Sequence, residues 1–162
     1  MKKNNTDIDF EKIIFKQRPI PIPIDYRPTY KISIIILVLK LCSTSETASL
    51  LKLHLFSWIL KSEDNRLLFN KFIQSNYLME FNVWSIEPAL NRALQYSIAD
   101  ELCELTNTSK YKLTEKGKLL YSAISDSNTF DEEIYFLKKI GKNKITDKRL
   151  DVMTKQWEFN YE

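Results

Sequence analysis

Residues 85–122, SIEPALNRALQYSIADELCELTNTSKYKLTEKGKLLYS, constrain the fold more than any other stretch of the chain. Ser85 is of a type that caps helices, and Pro88 suits a first helical turn, where its missing N–H removes no bond. Ala89, Leu90, Ala93, Leu94 and Ile98 recur at helical spacing. Residues 102–105 and 111–113 alternate apolar and polar around Asn107-Thr108-Ser109, the pattern of a short hairpin. Thr114 opens another helix, through Gly117 into Lys118-Leu119-Leu120-Tyr121. The predicted order is helix, strand, turn, strand, helix.

That order is the back half of a winged-helix domain. The expected fold is mainly α with a small β-hairpin, a winged helix carrying an N-terminal extended arm and C-terminal helices. Only two glycines and five prolines in 162 residues agree with a mostly helical chain, and 44% hydrophobic residues suffice for a core. Three parts are expected: an extended proline-rich arm over 1–28, the winged helix over 29–126 and a helical extension over 127–162. Such a fold hosts many functions and names none by itself.

Within the arm, RPIPIPIDYRP places a proline at every second position from Pro19 to Pro23. Each proline fixes φ and removes a donor, so the segment is expected to be extended. Ile20, Ile22 and Ile24, with Tyr26, then either strap the domain's own core or dock on a partner. A buried helix is predicted over 29–41, and a second over 48–61, with Ser43 and Glu46 at capping-box spacing before it. A third starts after Ser62 and runs to about 76, and residues 81–84 alternate like a short strand. Residues 130–140 form a further helix stopped by Gly141, and Thr146 caps a last, charged one.

Charge is distributed unevenly. Residues 1–31 carry seven Lys/Arg and four Asp/Glu, residues 32–137 ten and thirteen, and residues 138–162 seven and four. An acidic centre is the reverse of a phosphate-reading core. The helix after Pro88 offers Asn91, Arg92, Gln95 and Tyr96 as base readers, yet Arg92 is its only cation and Glu87 opposes it. Lys110 and Lys112 of the hairpin are offset by Asp100, Glu101 and Glu104. Lys138, Lys139, Lys142, Lys144, Lys148 and Arg149 are the better candidates for touching phosphate. At the C-terminal end, Trp157 and Phe159 join the arm as candidate partner-docking residues.

Catalytic chemistry finds few tools here. His54 is the only histidine, so no His-pair metal site exists, and it lies in an apolar run that suggests a satisfied, partly buried ring. Two glycines build no phosphate-cradling loop. Asp131-Glu132-Glu133 opens a helix, where carboxylates favour the dipole. Neither an enzyme nor a cofactor is expected. Cys42 and Cys103 read as free buried thiols of a reducing compartment. The start, MKKNNTD, has no apolar segment behind it, and the apolar run 32–39 is too short to span a bilayer, so a cytoplasmic protein without membrane contact is expected.

Two resemblances follow from these residues. Pro88-Ala89-Leu90-Asn91-Arg92-Ala93-Leu94 with Tyr111-Lys112-Leu113-Thr114-Glu115-Lys116-Gly117 resembles winged-helix regulators of the PadR type, departing from them after Leu94, where Gln95-Tyr96-Ser97 replaces an acidic, glycine-containing turn. The proline-rich arm leading into Asp25-Tyr26-Arg27-Pro28-Thr29-Tyr30-Lys31, then a buried helix and Ala48-Ser49-Leu50-Leu51-Lys52-Leu53-His54-Leu55-Phe56-Ser57-Trp58, is similar to the small middle components of bacterial ABC-three-component, Lamassu-type anti-phage defence systems. The second resemblance implies a non-catalytic subunit bridging an SMC-like ABC ATPase and an effector, often a nuclease, with DNA met mainly through the complex. The first implies a DNA-binding transcriptional regulator.

Overall fold

Residues 21–77 and 86–151 are described by the computed structural model of the protein. Helix α1 (Pro28–Cys42) is the centre of the structure, because Ile, Leu and Val surround it on nearly every side. Its residues 34–39 are all buried, and α4 (Pro88–Ala99), α5 (Glu115–Asp126) and α6 (Asp131–Ile140) pack around it. Helix α2 (Leu50–Leu60) is likewise apolar all round, whereas α3 (Glu63–Gln74) buries only Phe69 and Phe72. Ser62 caps α3 by accepting from Asn65 N–H, and Thr114 caps α5 by accepting from Gly117 N–H.

Among the described residues the sheet has three strands, the two of the expected hairpin and an unexpected one at 47–49. β1 (Thr47–Ser49), β2 (Cys103–Leu105) and β3 (Lys110–Leu113) are antiparallel in the order β1-β3-β2. Tyr111 faces Ala48 on one side and Leu105 on the other. β1 occupies residues expected at the start of the second helix. Ser45 and Glu46 adopt left-handed backbone (φ 52° and 56°), which breaks the helix path and feeds 47–49 into pairing with β3. Nor do Ser43 and Glu46 form a capping box. Ser43 Oγ donates to Val38 O, Glu46 pairs with Lys40 and Lys118, and Ser49 caps α2 instead.

Further differences are local. The arm is not extended throughout: after Pro23, residues Ile24–Tyr26 form a 3₁₀ turn closed by Tyr26 N–H to Pro23 O. Helix α1 starts at Pro28, with proline at N1 and Arg27 as the cap residue. In α4, Ser97 is buried, its hydroxyl bonded to Ala93 O, while Ile98 is exposed. Glu87 holds the cap position of α4; Ser85 and the expected strand at 81–84 lie outside the described residues. Helix α3 ends at Gln74, after which Asn76 and Tyr77 turn left-handed.

The core runs without a break across 126–127. Leu137, Ile140, Ile145 and Leu150 join the same cluster as α1, and Tyr30 stacks on Phe130 at 5.8 Å. Gly141 ends α6 with φ 66°, its N–H bonded to Leu137 O. Tightest of all is Gly117, where a Cβ would stand 2.1 Å from Leu102 O and 2.6 Å from Leu113 Cδ1. Alanine favours a helix by about 1 kcal/mol over glycine, but the obstacle here is a backbone carbonyl that cannot rotate away. Gly117→Ala should therefore destabilise the protein by about 1–3 kcal/mol in urea unfolding; unchanged stability would mean α5 sits further from the β2–β3 hairpin.

Candidate functional site

The N-terminal end of α4 meets α1 and α2 over a buried polar network. Lys31 lies on the stripe of α1 shared with Ile35, Val38 and Cys42, so its ammonium is carried inside and is 1% exposed. It donates to Ser57 Oγ and to Glu87 Oε2, both at 2.9 Å, and Asp25 stands at 3.6 Å. Ser57 in turn donates to Glu87 Oε2 at 2.8 Å. His54 completes the ring. Its Nδ1 accepts from Glu87 N–H at 3.1 Å, which fixes the proton on Nε2, and Nε2 donates to Asn91 Oδ1 at 3.0 Å. Both ring nitrogens are thus satisfied by the neutral form, and burial pushes the imidazole below its usual range.

Outside this network a cleft of about 480 Å³ opens between the arm and α4, lined by Tyr26, Ile86, Glu87, Arg92 and Lys61 among others. Two residues singled out from sequence, Tyr26 of the arm and Arg92 of the helix, are thereby brought to one cleft. Glu87 does not oppose Arg92 as expected; it is turned toward Lys31. Ile22, Ile24 and Tyr26 are 60%, 54% and 62% exposed, so these side chains do not strap the core. Ile20, Trp157 and Phe159 lie outside the described residues.

The hairpin cations are occupied. Lys110 Nζ binds Asp147 Oδ2 at 2.8 Å, and Lys112 Nζ binds Glu104 Oε1 at 3.3 Å. Asp147 also accepts from the N–H and Oγ of Ser49, and these donors hold its carboxyl below the usual range despite burial. Lys142 and Lys148 are exposed. Lys144 Nζ reaches Lys139 O at 3.0 Å, and Arg149 donates to Lys144 O at 2.6 Å while its guanidinium covers the Tyr77 ring at 4.0 Å.

Among the described residues no group of three His, Cys, Asp or Glu is arranged to hold a metal. Cys42 and Cys103 are free and buried, with burial pushing the thiols up to about 12 and about 11, far from the thiolate a nucleophile requires. No described helix is long and apolar enough to cross a membrane.

Lys31, Ser57 and Asn91 were not picked out as a network from the sequence, although a lysine on the buried stripe of an apolar helix is the signal that points to one. No protein-family model matches the chain, and neither a curated protein nor a solved structure matches it.

The neutral His54 makes stability depend on pH. Its folded affinity for protons is lowered, so the unfolded chain binds the extra proton first, below its ordinary pKa of about 6.5. The contribution of His54 should be constant above that pH and fall between pH 6.5 and 5, by up to about 1.4 kcal/mol per pH unit. Urea unfolding at pH 7 and 5 checks this against His54→Gln, in which the loss over that window should shrink. An equal loss in both proteins would assign the dependence to other groups.

Proposed function

We propose that the chain is a non-catalytic docking subunit built on a winged helix, which bridges an SMC-like ABC ATPase and an effector in bacterial anti-phage defence. For the winged helix, the supporting observation is topological. A helix, a short strand, further helices and then α4 running into the β2–β3 hairpin, with strand order β1-β3-β2, support a winged-helix reading, in which β1 would be the third strand of the sheet. Helix α3 is then an addition between the second helix and α4.

Docking is carried by one observation above the others: Ile22, Ile24 and Tyr26 stand exposed in a proline-stiffened arm beside an open cleft. Residues of this kind preset in shape lose little entropy on binding. A non-catalytic role is supported by where two of the polar side chains sit. Ser57 and Lys31 are hydrogen-bonded, yet both are buried and Ser57 is committed to Glu87, so neither is presented to a substrate. The ATPase and effector as partners rest on the resemblance of the arm and following helices to ABC-three-component middle subunits.

The second reading is a winged-helix transcriptional regulator with α4 as the reader. Arg92, Gln95 and Tyr96 are exposed on it and favour that reading. Against it stand the pairing of Lys110 with Asp147 and of Lys112 with Glu104, which leaves the wing without free charge for phosphate.

Affinity purification of the tagged full chain from its own host separates the two. Ile22→Asp/Ile24→Asp/Tyr26→Ala should cut recovery of the ATPase at least tenfold, about the effect of losing one docking hot spot, with the thermal midpoint unchanged. Full recovery would remove the arm from the interface. Loss of binding to DNA upstream of its own gene in Arg92→Ala, with no ATPase recovered by either protein, would establish the regulator instead.

A further inference from the structure

We propose that the segment from the end of α6 to Arg149 binds the phosphate backbone of duplex DNA without regard to sequence. Lys138, Lys139, Lys142, Lys144, Lys148 and Arg149 fall within residues 138–149. All are exposed except Lys144, which is half-buried. The single carboxylate in that stretch, Asp147, is turned inward to Ser49 and Lys110, so it does not offset the patch. Asp151 follows just beyond. The acids Asp131, Glu132 and Glu133 occupy the first turn of α6, roughly 10 Å back along its axis from Lys138. Two of them face Arg66.

The cations stand on the end of α6, the turn after it and the helical residues from 147, a segment that is already fixed. Lys144 O accepts from both Tyr77 Oη and Arg149 Nη1, Lys144 Nζ closes on Lys139 O, and Ile145 and Leu150 are buried beneath. Binding there needs no loop to be ordered. Arg149 lies over Tyr77 with one of its five N–H donors given to Lys144 O, which leaves donors for a phosphate. None of the side chains of Lys138, Lys139, Lys142 and Lys148 takes part in an ion pair or hydrogen bond among the described residues. This is the opposite of the hairpin, where Lys110 and Lys112 are each bound to a carboxylate.

Duplex rather than single strand is inferred from the surroundings of the two rings nearest the patch among the described residues, Tyr77 and the exposed Tyr135. Single-strand sites stack bases on exposed aromatic rings. Tyr77 is covered by Arg149, and Tyr135 lies in a groove with Glu63, Arg66 and Glu132, where carboxylates repel a strand. Neither the arm nor any ATPase enters this argument, so the surface stands or falls apart from the docking role proposed above.

Fluorescence anisotropy of a labelled 30-base-pair duplex of random sequence, titrated with the full chain, tests the assignment. Four phosphate contacts give a log–log salt slope of about −3.6, or about a 150-fold loss of affinity between 50 and 200 mM NaCl. Lys138→Gln/Lys139→Gln/Lys142→Gln/Lys148→Gln should abolish binding at 50 mM, while Lys71→Gln on the exposed side of α3 stays within twofold of the parent. Should the quadruple variant have a lowered thermal midpoint, Lys142→Gln and Lys148→Gln singly carry the test, each reducing the slope by about 0.9. No binding by the parent chain at 50 mM, or a folded quadruple variant that binds like the parent, overturns the proposal. Tighter binding to the single strand than to the duplex, lost in Tyr135→Ala, overturns the duplex assignment.

Discussion

An ammonium group inside an apolar helical core is costly unless it is matched, by several kcal/mol for a single ion in a protein interior. Lys31 is such a group, 1% exposed within α1, and its match comes from three other places in the chain: Asp25 before the helix, Ser57 in α2 and Glu87 at the start of α4. Because Glu87 also donates its N–H to His54, the same residue ties α4 to α2 as well as to α1. Apolar packing is non-directional and would let α4 slide along α1 at small cost. The polar ring fixes its register. That in turn sets where Arg92 stands, where the hairpin leaves α4, and how the arm approaches through Asp25.

The same logic repeats at the other end of the sheet. Asp147 joins the cap of α2 to β3 and to the turn after Thr146, so the C-terminal region is held by charge as well as by Leu137, Ile140, Ile145 and Leu150. Lys110 and Lys112 of the hairpin are committed to carboxylates, whereas Lys138, Lys139, Lys142 and Lys148 form an open positive surface. Two outward-facing regions result, apolar around Ile22, Ile24 and Tyr26 and basic beyond α6, and both are carried on one rigid core.

Much of this was legible in the sequence because it is local. Ser62 and Thr114 announced their helices by capping chemistry, the turn at 107–109 announced the hairpin, and Gly141 announced the end of α6. The failures share one cause, dependence on partners distant in the chain. Thr47-Ala48-Ser49 carries no strand signal of its own and is extended only because β3 pairs with it. Ser97 and Ile98 exchanged places, since the buried hydroxyl satisfies itself on Ala93 O while the isoleucine falls outside the contact with α1. Lys31 and Glu87 are 56 residues apart. The position of Lys31 on an apolar helix hints at burial, but nothing local points to Glu87 as its partner, so the cleft that places Tyr26 beside Arg92 was not readable before the fold.

If the buried ring sets the register of α4, its members must act as a unit. A double-mutant cycle on Lys31→Met and Glu87→Leu, read by urea unfolding at pH 7, measures this directly. Each single change removes the nearest opposite charge of a buried or half-buried group, with Asp25 at 3.6 Å only partly replacing Glu87. Each is expected to cost about 3 kcal/mol, while the double variant should recover about 2 kcal/mol or more of the summed loss. Costs that add to within about 0.5 kcal/mol would show that the two residues act independently, and that α4 is held by apolar packing alone.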